Sequence, residues 1–220
     1  MPQPIFGPTF AETCRAWRWI PLVCVGLCGP LAGPLLAQGA APASAVVAGG
    51  ELTLSAPKGF CVDKAASRSG KEGSFILFGS CAALEKSAKA ARPKLPAILT
   101  ASAAPGSATA AEFASSFPSM AKFLASDTGR AALSRSGKAR TVKVRQIIAV
   151  KDVLYLSATD TSKGAAGEHF QPDYWRALFV VKGQIVTLSV LALDDQPVGS
   201  AEQRALLEKF VARVKAVNRS

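Results

Sequence analysis

Tyr174-Trp-Arg-Ala-Leu-Phe-Val-Val181, Lys182-Gly183, Gln184-Ile-Val-Thr-Leu-Ser-Val-Leu-Ala-Leu193 is the stretch that decides the fold. Two β-rich runs are separated by two residues, and Gly183 supplies the positive φ that a tight hairpin turn needs. A two-residue loop sets the register. Val181 then faces Gln184, Phe179 faces Val186, Ala177 faces Leu188 and Trp175 faces Val190. The face carrying Trp175, Ala177, Phe179, Val186, Leu188 and Val190 is apolar and belongs to the core. The opposite face mixes Tyr174, Arg176, Thr187 and Ser189 with Leu178, Val180 and Ile185. A slip of one residue would exchange the two faces, so the pattern specifies the pairing.

Downstream, Leu206, Leu207, Phe210, Val211, Val214 and Val217 recur at helical spacing, which predicts a closing helix that lays this stripe on the hairpin's apolar face. Ser200 and Gln203 read as its capping box, and Arg213, Lys215 and Arg219 suit the negative end of its dipole. Upstream, Thr141–Val150 alternates. Val142, Val144, Ile148 and Val150 are expected on one face, Thr141, Lys143 and Arg145 on the other. Lys151-Asp152 turns the chain into a strand over Val153–Thr159, and a polar loop through Gly164 and Gly167 follows. Leu95–Ser102 reads as another strand. Thr109 and Glu112 form a capping box for a helix bearing Phe113, Phe117, Ala121 and Leu124, interrupted at Pro118. Asp127 caps a further short turn through Leu133. Strands with two helical regions predict an α+β domain, with helices on a mainly antiparallel sheet of hairpins.

The five cysteines divide informatively. Cys14, Cys24 and Cys28 lie in an N-terminal segment whose uncharged run, Trp19–Ala37, follows Arg15 and Arg18. Its length, about 19 residues, suits either an export signal or a membrane anchor. Three prolines and three glycines favour the signal, with cuts after Ala37, Gly39 or Ala45. Residues 38–50 (QGAAPASAVVAGG) lack charge and large side chains and read as a flexible linker; the globular domain is then 51–220. Only Cys61 and Cys81 remain for that domain. Phe60–Val62 and Phe75–Phe78 read as strands flanking a polar loop, Asp63–Gly73, so a Cys61–Cys81 disulfide is expected. Closing a loop of about 20 residues stabilises by about 3 kcal/mol. One even pair behind an export segment points to an oxidising compartment, either periplasmic or secreted, with an inner-membrane anchor through residues 19–37 as the alternative.

The whole chain carries 26 basic and 15 acidic residues; without Arg15, Arg18 and Glu12 the balance is 24 to 14, a formal +10. A basic exported domain is attracted to anionic surfaces such as lipid headgroups, lipopolysaccharide or a cell-wall polymer, and nucleic acid is not an expected partner in that compartment. From Thr128 to Lys151 there are seven basic residues and no acidic one. Within that run Arg135, Lys138, Arg140, Lys143 and Arg145 form the candidate surface, Lys143 and Arg145 projecting from one side of a strand.

No residue set carries recognisable catalysis. His169 is the single histidine, which excludes a multi-histidine metal site, and no metal or cofactor is expected. Ser-x-x-Lys occurs at Ser55–Lys58 and Ser119–Lys122 without the companion Lys-Thr-Gly of penicillin-binding enzymes. Ser-Arg-Ser-Gly-Lys occurs at 67–71 and 134–138 and fits turns better than a phosphate loop.

The APKGF turn (Ala56–Phe60), the AAEFA helix (Ala110–Ala114), the Tyr174–Val190 hairpin and the closing helix together resemble the element order of the PsbP/Mog1-like α-β-α sandwich, over about residues 51–217. The resemblance implies that fold and a non-catalytic accessory or binding role. The expectation is therefore an exported binding or envelope accessory protein; the alternatives are a cell-envelope enzyme and a membrane-anchored assembly subunit.

Overall fold

The computed structural model describes residues 40–162 and 169–219. The N-terminal segment read as an export signal or anchor, with Cys14, Cys24 and Cys28, and the loop glycines Gly164 and Gly167 lie outside the described residues. In chain order the strands are β1 (Ser44–Val47), β2 (Leu52–Ser55), β3 (Phe60–Gly70) and β4 (Gly73–Ser80). The short helix α1 (Cys81–Leu84), strand β5 (Ala97–Ala104) and helices α2 (Ala110–Ser115), α3 (Phe117–Ala125) and α4 (Asp127–Leu133) follow. Then come β6 (Val142–Val150), β7 (Val153–Asp160), β8 (Phe170–Val181), β9 (Gln184–Leu193) and α5 (Ser200–Val217).

Strands β3 to β9 form one antiparallel sheet in the order β3-β4-β5-β9-β8-β7-β6, and β1 pairs with β2 separately. The β8–β9 hairpin has the expected register, Trp175 opposite Val190 and Val181 opposite Gln184. Lys182 and Gly183 both have positive φ, 50° and 72°. The domain is α+β.

Each sheet face has its own core. On one, Phe78, Leu99, Trp175, Phe179, Val186, Leu188 and Val190 meet Leu206, Leu207, Phe210, Val211 and Val214 of α5. Phe78 and Phe210 pack edge to face with centroids 5.6 Å apart. Burying side chains of this size contributes about 1.5–3 kcal/mol each. On the other face Leu154, Leu156, Ala158, Tyr174 and Val180 meet Phe113, Phe117, Leu124 and Leu133 from α2 to α4. The mixed face of the hairpin is thus covered too, because its polar members find partners. The Tyr174 hydroxyl donates to the Leu133 carbonyl (3.2 Å), and Arg176 Nε donates to the Ser189 hydroxyl (3.0 Å).

Five local expectations need correcting. The stretch 38–50 is not a linker throughout: it contains β1, whose Val47 is 2% exposed in the core beside Leu52 and Leu54. Its small residues bury little, yet strand pairing with β2 satisfies the backbone, and the Val62 amide donates to the Pro42 carbonyl (2.7 Å). The fold therefore begins ahead of Glu51, and a cut after Ala45 would divide β1. Second, most of the polar loop Asp63–Gly73 is strand. β3 runs to Gly70 through a bulge held by the Asp63 carboxylate, which accepts the Ala65 and Ala66 amides. Third, the Ser126 hydroxyl, not Asp127, caps α4 by accepting the Gly129 amide (3.2 Å). Fourth, α5 starts one residue early: Glu202 reaches back to the Gly199 amide (3.1 Å), while Gln203 is buried and donates to the Val198 carbonyl. Fifth, β6 carries a bulge between Val144 and Gln146, which moves Ile148 to the α5 core, away from Val142 and Val144. Val150 is left 41% exposed.

Cys61 and Cys81 are bonded, with Cα atoms 4.9 Å apart. The bridge ties the start of β3 to the first residue of α1. The Thr109–Glu112 capping box is present, and the helix breaks at Ser116 ahead of Pro118, as the sequence indicates.

Candidate anion-binding surface

The basic run leaves α4, turns at 134–138, passes a short 3-10 turn at Ala139–Thr141 and enters β6 at the sheet edge. Its conformation is organised by a buried acid at the end of β7. Asp160 is 1% exposed, and its carboxylate accepts the backbone amides of Arg135 (2.7 Å) and Ser162 (2.9 Å). Burial alone would raise its pKa; the hydrogen bonds donated by Arg135 and Ser162 outweigh that and hold it below the usual carboxylate range.

The Arg135 guanidinium lies 3.5 Å from the same carboxylate and donates to the carbonyls of Asp160 (3.3 Å) and Gln171 (3.2 Å). Arg135 is therefore an internal clamp, and its charge is spent inside the fold. It leaves the candidate surface for this reason. The clamp fixes the next residues. The Thr141 hydroxyl donates to the Lys138 carbonyl (2.8 Å) and lies 2.8 Å from the Ser134 hydroxyl. Lys138 and Arg140 stand exposed on this pinned turn.

Lys143 pairs in register with Thr159, and Arg145 occupies the β6 bulge; both are exposed. Arg145 Nε donates to the Thr159 hydroxyl (2.8 Å), which in turn donates to the Asp173 carboxylate on β8. This short chain of hydrogen bonds crosses three strands. It brings Arg145 and Lys143 to one region of the sheet, as expected, but through the bulge, and it sets Asp173 nearby as a partial counter-charge.

The remaining cations of the run fall elsewhere. Arg130 pairs with Asp127 (2.6 Å) within α4, and Lys151 sits in the turn at the far end of β6, roughly 26 Å from Lys143 at the rise of an extended strand. Lys138, Arg140, Lys143 and Arg145 are the four that form an exposed basic strip.

The other residues singled out in the sequence take structural places. The Ser55 hydroxyl is buried, accepts from Ser44 (2.8 Å) and from Arg213 Nε (3.1 Å), and is not available as a nucleophile. Ser119 donates to the Ser116 carbonyl inside α3. His169 is exposed, and its carbonyl accepts the Asp194 amide. Of the two Ser-Arg-Ser-Gly-Lys copies, the first ends β3 and the second forms the clamped turn. Among the described residues no group of three or more His, Cys, Asp or Glu side chains is placed to hold a metal ion, and no helix is long and apolar enough to cross a membrane.

Compared with known proteins, the chain matches no family model and no curated protein.

Proposed function

We propose that this is an exported, non-catalytic binding protein whose β6 edge contacts an anionic envelope surface, such as phospholipid, lipopolysaccharide or a cell-wall polymer. The observation that carries the reading is the strip Lys138, Arg140, Lys143 and Arg145, exposed along one turn and the strand after it, while Arg135 is withdrawn into the fold. The disulfide fits an oxidising compartment. The likeness in element order to exported accessory proteins favours binding over chemistry by analogy.

Screening beyond about 8 Å in physiological salt makes the strip act collectively, so binding falls as salt rises. Because Arg145 is hydrogen-bonded beside Asp173, the cleaner charge reversal is at Lys138 and Lys143. A cation near an anionic membrane contributes about 1 kcal/mol, so K138E/K143E should bind anionic liposomes at least about thirtyfold more weakly in co-sedimentation. Equal binding by wild type and variant at low salt would reduce the strip to an ordinary solvated face.

A further inference from the structure

A second site is built at the other side of the sheet, around the start of β3. The turn Pro57–Phe60 and the loop Arg92–Leu95 meet backbone to backbone. Gly59 has φ +95°, and a Cβ there would lie 2.5 Å from the Pro93 nitrogen and 2.6 Å from the Arg92 carbonyl oxygen, so only glycine permits the approach. The Gly59 carbonyl accepts the Cys81 amide (3.0 Å), and the Ala91 carbonyl accepts the Ala82 amide (3.1 Å). With the Cys61–Cys81 bond these contacts fasten both loops to α1. Together with the first turns of α5 they enclose a groove of about 530 Å³, within the range of small-ligand pockets.

The groove's chemistry is divided. Pro57, Leu95 and Ala205 give it apolar walls above Phe60 and Leu206, which are 2% and 8% exposed and belong to the main core. Lys58, Arg92, Lys94 and Lys209 stand exposed around it. Among the described residues none of these four cations has an ion-pair partner. The one acid of the lining, Glu202, is engaged with the Gly199 amide at the start of α5. The larger groove between α5 and the β6–β7 turn differs in this respect, since its Lys215 is paired with Asp152 at 2.6 Å. Four cations against one carboxylate leave the groove net positive, so it attracts an anion, while its apolar lining is a surface that a free inorganic ion would not cover.

We propose that this groove binds a single-chain amphiphile with an anionic head, the chain lying along Pro57, Leu95 and Ala205 and the head held by Lys58, Arg92, Lys94 and Lys209. A fatty carboxylate and an alkyl phosphate share this chemistry. The site does not depend on the β6 strip, which follows the opposite edge of the sheet.

The test is fluorescence titration of the purified protein with cis-parinaric acid below its micellar concentration, and with its methyl ester. Saturable binding of one acid per chain is expected, with the ester at least about tenfold weaker, and with dodecanoate or dodecyl phosphate displacing the probe. Whichever competitor acts at the lower concentration identifies the head group. Lys94 and Lys209 are exposed, so K94E/K209E keeps the fold and should weaken binding about tenfold or more. Ala205→Phe, from the exposed wall of α5, should fill the groove and remove binding. K138E/K143E should bind the probe as wild type does, whatever its behaviour on liposomes. Equal affinity for acid and ester, unchanged binding by K94E/K209E, loss of probe binding in K138E/K143E, or no saturable binding at low salt would each overturn the proposal.

Discussion

Replacing Asp160 with Asn tests whether the buried acid organises the basic turn. The substitution keeps the side chain's shape and removes its charge. An Asn oxygen can still accept one of the two amides that Asp160 now accepts, from Arg135 at 2.7 Å and Ser162 at 2.9 Å, but its NH2 group must face the other donor. A stranded buried donor costs about 1–3 kcal/mol. Breaking a fully buried ion pair costs about 3–5 kcal/mol; here the Arg135 side chain is 21% exposed, so water recovers part of that. The combined loss should be roughly 2–4 kcal/mol in urea unfolding, or roughly 5–15 °C in Tm for a domain of this size. The pH dependence has a definite sign. The folded Asp160 carboxyl lies below its unfolded value near about 3.9, so its contribution is complete above that value and is lost as pH falls through the lower, folded value. The stability gap between wild type and D160N should hold steady from about pH 7 to 5 and narrow below about pH 4. A loss under about 0.5 kcal/mol, or a gap that does not narrow in acid, would refute the reading of Asp160 as a charged clamp.

Serine at both Cys61 and Cys81 should cost about 3 kcal/mol by loop closure over a separation of 20 residues, measured by urea unfolding and matched by reduction of the wild type. Phe210→Ala, at a fully buried position packed edge to face with Phe78, should cost about 3–5 kcal/mol in the same assay. On anionic liposomes K138E/K143E should sediment less than wild type, and added salt should bring the two together.

Much of the fold is legible where a side-chain pattern repeats. The β8–β9 register follows from one turn dipeptide and alternating apolar residues, and the α5 stripe follows from its spacing, because burial on one face imposes those periods. Elements that depend on distant partners are hidden. β1 has almost no apolar pattern and exists because β2 offers it a ladder and the core accepts Val47. The outer half of β3 reads as a loop because an edge strand exposes Lys64, Ala65, Ala66 and Arg68 alike, with no buried face to mark the alternation. Caps shift by one residue because Gly199, Ser200 and Ser126 offer neighbouring starts that local sequence ranks almost equally.

The candidate strip shows the same division within a single run of cations. In sequence Arg135 and Lys138 look alike: both are basic, both lie in one Ser-Arg-Ser-Gly-Lys turn, and both precede a strand. Their difference comes from Asp160, 25 residues away along the chain from Arg135 and brought beside it by the β6–β7 pairing. A buried carboxylate selects the nearest guanidinium, whose fork can also reach two carbonyls, and leaves Lys138, a point charge past the turn, in water. The bulge acts likewise at Arg145: one extra residue, which no sequence period announces, directs its guanidinium to the Thr159 hydroxyl, which in turn donates to Asp173. Sequence can therefore locate a basic surface to within a turn and a strand. Which of its charges face a partner is decided by the acids that the tertiary fold sets behind them.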